Sequence, residues 1–341
     1  MAARQRGRID VGRLEEVLDR IARQRVVVVG DVILDAYVWG STERVSPEAP
    51  VPVVRVEHES AALGGAGNVA VSAAALGASC TLCGVIGDDE AGQQVRALAR
   101  AAHLGTPGIV VESSRATTTK QRIVARGRQV LRIDRETDGE IGRGARARVL
   151  ELLRKDAPDC DGAILVDYAK GCLPRAFARE IAALLGELGT SFAADPKHDL
   201  TGLRGAALVK PNRGEAIALA GLDAARGTEP ERLIARLGRR LPDADWAITD
   251  GPRGMTVQEV GGAPVHIPTA AREVFDVQGA GDTTMAALWL ARLAGGSLVE
   301  SALLANAAAG VVVGKIGTAS ARADEVRERL PEVVDAFRES E

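Results

Sequence analysis

Four consecutive valines, Val26 to Val29, run into Gly30, and no other feature limits the choice of fold as tightly. An unbroken β-branched run suits a strand buried on both faces, as in a parallel sheet covered by helices on either side. Similar short apolar runs recur at 81–86, 108–111, 163–166, 192–194, 206–209 and 246–249. Between most of them lie stretches with helical spacing, at 68–76, 91–102, 143–154, 175–188 and 229–241, and an amphipathic helix over 11–21 precedes the first strand. Strand alternating with helix predicts an α/β fold with a doubly wound, mostly parallel sheet. Such sheets bind ligands at the carboxyl ends of their strands. Aromatic residues make up only 3% of the chain, so its core must be aliphatic.

Two segments break the alternation. Residues 37–39 with 51–57, and 117–134, are strand-like and more polar, with no helix between them. They predict a small β-sheet projecting as a lid. Gly261 and Gly262 join two further short strands, 255–260 and 264–267, as a hairpin. No repeat, low-complexity tract or linker interrupts the chain, so 1–341 is read as one domain with an appended lid.

A net charge of −3 gives no general attraction to nucleic acid or an anionic membrane, so an anionic ligand needs a local basic cluster. The start MAARQRGR has no apolar stretch after it, and the longest mild apolar run, 302–314, is too short to span a membrane and contains Asn306. Both point to the cytoplasm. Cys80 and Cys83 form a CxxC within a strand, where residues three apart face opposite ways, so they read as core thiols rather than metal ligands.

The sharpest chemical signal is Asp276-Val-Gln-Gly-Ala-Gly-Asp282 followed by an apolar helical pattern over 285–293. Gly279, Ala280 and Gly281 stand where a loop becomes a helix, so bare N–H groups and the positive helix end can meet an anion. Asp282 then lies in the first turn beside that anion. It can accept a proton from an attacking hydroxyl while the N–H groups stabilise a transferring phosphoryl group. Equally, it can simply complement the helix dipole. Gly64 and Gly65 precede Asn68 at the start of another helix near Val69. Paired glycines allow close backbone approach, and Asn68 is either a sugar-hydroxyl partner or an N-cap. Asn212 and Glu215 share a helix face directly after a strand. They suit a hydrated Mg²⁺ on nucleotide phosphates, or alternatively a capping box. There is no GxxxxGK[ST] and no GxGxxG after the first strand, which excludes a P-loop enzyme and fits a dinucleotide dehydrogenase poorly.

The glycine pair near the amino end and the DxxGAGD near the carboxyl end, in that order and spacing, resemble the ribokinase-like (PfkB) carbohydrate kinases over 25–320. The resemblance implies a Rossmann-like domain with a β-sheet lid through which two copies form a homodimer. It implies Asp282 as the base and Gly279, Ala280 and Gly281 as the anion hole. Asn212 and Glu215 would hold Mg·ATP, Thr249 and Gly251 would line the nucleotide, and Asn306 would lie on the adenine side. Asp35 falls at a sugar-hydroxyl position. Gln278 stands where the family usually has Thr, next to a loop that binds a monovalent cation such as K⁺ in many members.

Several strings look like the branch of that family acting on a heptose 7-phosphate: 44–54, Val166-Asp-Tyr-Ala-Lys-Gly171, Asp195-Pro-Lys197 and 306–317. Positive charge at Lys120, Arg122, Arg126, Arg128 and Arg132 in the lid, with Lys170 and Lys197 after strand ends, fits a phosphorylated substrate or a solvated charged face. Asp35, Asn68 and Asp195 are candidates for sugar hydroxyls, although Asp195 could form a turn before Pro196. Only one helix, over 325–337, is expected after Gly317, which reads as a kinase without a fused nucleotidyltransferase. A kinase of another sugar phosphate, such as fructose 1-phosphate or tagatose 6-phosphate, is the alternative within the class. A non-catalytic sugar-binding regulator would have lost Asp282 or the glycines.

Overall fold

A computed structural model describes residues 9–223, 227–270, 276–315 and 317–340. The basic start 1–8, and Ile316 within one of the quoted strings, lie outside them. The chain opens with α1 (Val11–Ile21) and β1 (Arg25–Gly30), then runs through β2 (Val32–Val45), β3 (Pro52–Gly65), α2 (Ala66–Ala75) and β4 (Ser79–Ile86). After these come α3 (Glu90–Ala101), β5 (Ile109–Val111), β6 (Thr119–Ala125), β7 (Arg128–Arg135), α4 (Arg143–Asp156) and β8 (Gly162–Val166). The middle of the chain holds α5 (Arg175–Glu187), β9 (Phe192–Asp195), β10 (Leu208–Val209), α6 (Arg213–Leu219) and α7 (Pro230–Leu237). Last are β11 (Asp245–Thr249), β12 (Met255–Gln258), β13 (Val265–Ile267), α8 (Ala280–Leu293), α9 (Leu298–Val313) and α10 (Ala323–Glu339).

The main sheet has the order β13-β12-β11-β10-β9-β8-β1-β4-β5. It is parallel from β11 to β5, and the expected hairpin forms its antiparallel edge. The valine run splits as a doubly covered strand must. Val26 and Val28 pack with α1, α2, α8, α9 and α10, while Val27 and Val29 pack with α4, α5, α6 and α7. Cys80 and Cys83 divide between the same two layers, both buried and unpaired. Burial pushes both thiols up, that of Cys83 to about 12, so neither is a ready thiolate.

Strand order reverses at β1, with β4 to one side and β8 to the other, so a crevice opens at the carboxyl ends of these strands. The second sheet, β3-β2-β6-β7, projects from that edge. It is longer than the apolar pattern suggests. The β2–β3 pairing runs from Val32–Gly65 to Val45–Pro52, and the outer half is polar and exposed, which hides it from a hydrophobicity reading. The helix expected to open near Val69 begins instead at Ala66, because the lid strand β3 runs straight into it through Gly65.

A single residue, Asp31, links the two sheets. Its N–H donates to the carbonyl of Val166 at the end of β8, and its carbonyl accepts from the N–H of Ala66 at the start of α2. Gly65 has φ of +57°, and a Cβ there would collide with the Asp31 carbonyl oxygen. Gly65→Ala should therefore lower stability by about 2 kcal/mol or more, from left-handed strain plus the clash. A urea midpoint equal to that of the parent would show that this junction is not as tight as described.

Candidate active site

The floor of the crevice is built on the side chain of Asp31, which the sequence reading passed over. Its carboxylate, buried at the tip of β1, accepts backbone N–H bonds from Tyr168 (2.8 Å), Lys170 (3.1 Å) and Cys172 (2.9 Å). The loop after β8 is thereby pinned against β1. Within it Ala169 has φ of 56°, a strained value for a residue with a Cβ, and its N–H is held by Asp167 at 2.8 Å.

Asp282 lies in the first turn of α8, 5% exposed, at the centre of the site. Asn68 donates from Nδ2 to its Oδ2 at 2.7 Å, and the Tyr168 hydroxyl donates to its Oδ1 at 2.7 Å. Asn68 thus sits inside α2 rather than capping it, and its amide is engaged with the carboxylate. Small residues along α2 permit this contact, with Ala66, Ala70 and Ala73 fully buried against the layer containing α8. Burial raises the Asp282 carboxyl above its usual value. The bonds from Tyr168 and Asn68 and the charge of Lys210 oppose that rise, while Asp35 adds to it. The N-terminus of α8 has no side-chain cap, and Gly279 before it is left-handed at φ of +78°. A Cβ on Gly279 would come within 2.8 Å of the Asn68 amide nitrogen, whereas nothing would crowd one on Gly281. Gly279, Ala280 and Gly281 therefore form an open helix end of the kind that binds anions.

Beside it lie two ion pairs. Lys210, almost fully buried, is 2.9 Å from Asp195, and Lys197 is 2.6 Å from Glu215. Burial pushes Asp195 up to about 6 against the pull of Lys210. Burial draws Lys210 down, but Asp195, Glu215 and Asp282 outweigh it and hold the ammonium above its usual value. Asp195 is thus the buried end of β9 in an ion pair, not a simple turn residue. Asn212 and Glu215 form the capping box of α6 in full, with Asn212 Oδ1 accepting from the Glu215 N–H at 2.9 Å and Glu215 Oε2 accepting from the Asn212 N–H at 2.8 Å. Each Glu215 oxygen therefore has one bond and one spare lone pair. Among the described residues no three acidic, His or Cys side chains converge to cage a metal. That donor set suits a Mg²⁺ that arrives on a nucleotide and keeps its water.

Thr249, at the end of β11, bridges to Asn212, and Gly251 follows with φ of 55°. Asn306 is buried in α9 and donates to the Pro268 carbonyl at 2.6 Å, so it fixes the strand exit ahead of 271–275. Those five residues lie outside the described ones.

The lid supplies the opposite wall. Arg122 donates to Asp35 at 2.6 Å and lies over the Tyr37 ring. Gly64 makes room for this, since a Cβ there would collide with the Asp35 carboxylate. Lys120 pairs across from Asp35 in the strand register and sits over Tyr168, while Lys170 bonds Glu136 at 2.5 Å. Lys120 is drawn below its usual value by burial, although Asp35 opposes this, and the like charges of Lys170, Arg122 and Arg132 add to the fall. Arg126 and Arg128 instead flank the β6–β7 turn at Gly127. Gln278 accepts from the Tyr37 hydroxyl at 2.6 Å, and the same hydroxyl lies 2.9 Å from Thr318, so the lid is tied to the loop before the anion hole. Asp276 braces that loop by accepting from the N–H groups of Gln278 and Gly317.

The sequence reading thus named much of this wall but gave no role to Asp31, Tyr168 or Lys210. The signal available was a polar or charged residue directly after a buried strand, at the edge where ligands bind.

A model of the pfkB family carbohydrate kinases matches residues 23–325. The bifunctional protein HldE of Desulfatibacillum aliphaticivorans is 39% identical over 314 residues, covering 92% of this chain and 64% of that protein. The protein of the same name from Caulobacter sp. (strain K31) is 43% identical over 303 residues, covering 88% of this chain and 62% of its own length. This chain therefore spans less than two thirds of the length of those relatives. Among solved structures, phosphofructokinase-2 from Escherichia coli in complex with potassium superposes with a TM-score of 0.76 at 18% identity, covering 91% of this chain and 99% of that one. Arabidopsis thaliana ribokinase complexed with ribose and ATP gives 0.68 at 19%, covering 91% and 98%. These likenesses establish the ribokinase-like fold, and the family match establishes the kinship: the chain belongs to the pfkB family of carbohydrate kinases.

Proposed function

We propose that this chain transfers the γ-phosphoryl group of ATP to O1 of D-glycero-β-D-manno-heptose 7-phosphate, giving the 1,7-bisphosphate and ADP on the route to ADP-heptose and the lipopolysaccharide core. One observation carries the reading: a buried carboxylate, Asp282, stands in the first turn of a helix whose bare N–H groups face the same crevice as a crowd of lid cations. Asp282 accepts the proton of the sugar hydroxyl as its oxygen attacks the γ-phosphorus. The N–H groups at Gly279, Ala280 and Gly281 stabilise the charge on the phosphoryl oxygens, and ADP leaves on the far side. Asn212, Glu215, Thr249, Gly251 and Asn306 form the nucleotide side. Glu215 and Asn212 would hold a Mg²⁺ there through water, and when bound it would neutralise phosphate charge.

Lys120, Arg122 and Lys170 take the phosphate that the substrate already carries, and Asp35, Asn68, Asp195 and the glycine pair shape the sugar site. The mutual repulsion of Lys120, Lys170, Arg122 and Arg132 favours a dianion among them. The close likeness of the chain to HldE proteins along most of its length, and the quoted strings, support heptose as the sugar. Val45, Val51, Val56, Val130 and Leu131 leave apolar surface exposed on the lid, which supports a homodimer through it. No described helix is long and apolar enough to cross a membrane, and the cysteines are unpaired, which agrees with a cytoplasmic site of action. A monovalent cation such as K⁺ would bind near Asp276, where Gln278 is already committed to Tyr37.

Turnover of heptose 7-phosphate should exceed that of unphosphorylated heptose by about 100-fold or more in kcat/KM, the worth of two charge-assisted hydrogen bonds at about 1.5 kcal/mol each. ATP consumption with mass detection of the product checks this. Equal rates, or preference for fructose 1-phosphate or tagatose 6-phosphate, would overturn the assignment. Glu215→Gln separates metal handling from capping, because glutamine also completes a capping box. The Mg²⁺ concentration for half-maximal rate should rise several-fold with the melting temperature nearly unchanged. An unaltered Mg²⁺ dependence would leave Glu215 with the capping role alone.

A further inference from the structure

Tyr168 is constrained at three points. Its main-chain N–H is fixed by Asp31, the ammonium groups of Lys120 (5.3 Å) and Lys197 (5.9 Å) lie over its ring, and its hydroxyl donates to Asp282 Oδ1 at 2.7 Å. Lys120 belongs to the lid, and Lys197 is paired with Glu215 on the nucleotide side. The residue after Tyr168 is held at a strained backbone angle, so the loop is shaped at a cost in stability. A phenylalanine would fill the same space and make the same ring contacts; only the hydroxyl would be missing.

We propose that Tyr168 is a positioning residue for phosphoryl transfer, its hydroxyl aligning the Asp282 carboxylate and favouring the ionised form that accepts the substrate proton. This rests on the role of Asp282 as the base. The groups facing Asp282 are Asn68 from α2, Asp35 from β2, Tyr168 from the loop after β8, and Lys210 after β10, with Asp195 and Glu215 behind Lys210. The Tyr168 phenol is itself held well above its usual value, by burial first and then by the Asp282 charge, so it stays a neutral donor through the working pH range. It therefore opposes the effect of burial on Asp282, and its removal must push the carboxyl further up.

In Tyr168→Phe the acid limb of the kcat profile should move to higher pH by about one unit, the size of one hydrogen bond to a charged group. At pH values above the limb most of the rate should return, with KM for ATP unchanged. The chain has two tyrosines, Tyr37 and Tyr168, so 3-fluorotyrosine incorporated into Tyr37→Phe protein labels Tyr168 alone. The fluorinated phenol is a stronger donor of the same shape, and the limb should move to lower pH than in unlabelled Tyr37→Phe; this arm carries the test if Tyr168→Phe does not fold. A limb that stays in place in the folded variants, with only a lower rate or melting temperature, would overturn the proposal. A parent enzyme with no acid limb at all would instead contradict the role of Asp282.

Discussion

The whole site hangs on one buried carboxylate that accepts three backbone N–H bonds. Asp31 is the one residue between β1 and β2, and its four polar atoms make five hydrogen bonds there. Its main chain ties β8 to the start of α2, and its side chain ties β1 to the loop carrying Tyr168 and Lys170. Three backbone N–H groups satisfy a charge that burial would otherwise penalise by several kcal/mol. Because α2 carries Asn68 and the loop carries Tyr168, the two donors to Asp282 are placed by the same residue.

From this anchor the electrostatics of the crevice follow. Two ion pairs, Lys210 with Asp195 and Lys197 with Glu215, stand beside Asp282, and the three carboxylates together hold the Lys210 ammonium above its usual value. Such a network stabilises the fold little, since desolvation consumes most of the Coulombic gain. The lid and the loop after β8 present the contrary arrangement, with Lys120, Arg122, Arg132 and Lys170 close together and Asp35, Asp134 and Glu136 as counter-charges. The wall around Asp282 carries three carboxylates against two ammonium groups, whereas the opposite wall is left with surplus positive charge.

Much of this was legible in the chain. Val26 to Val29 announced a strand covered on both faces, and the structure divides those valines between two core layers. The helix after Gly281 and the lid segments were visible because their periodicity or its interruption is local. The outer halves of β2 and β3 were not visible, being polar strands held by pairing with each other rather than by burial. Asp31, Tyr168 and Lys210 escaped for another reason. The roles of Asp31 and Tyr168 depend on residues 137 to 141 apart in sequence being neighbours in space, and that of Lys210 on β9 and α8 lying beside the end of β10. Asn68 was found by its glycines, but its bond to Asp282 was not, since no spacing rule tells that α2 packs against α8.

The central claim is that Asp282 takes the proton in phosphoryl transfer, and Asp282→Asn tests it most directly. Asparagine keeps the size and the first-turn position and still accepts one hydrogen bond, but it cannot serve as a base. With the variant shown to be folded and to bind ATP and sugar phosphate normally, kcat should fall by about 10²–10⁴-fold, the usual contribution of general acid–base catalysis. Near-normal turnover, with only the small loss in stability of about 0.3–1 kcal/mol expected for an acid at a helix N-terminus, would contradict the account.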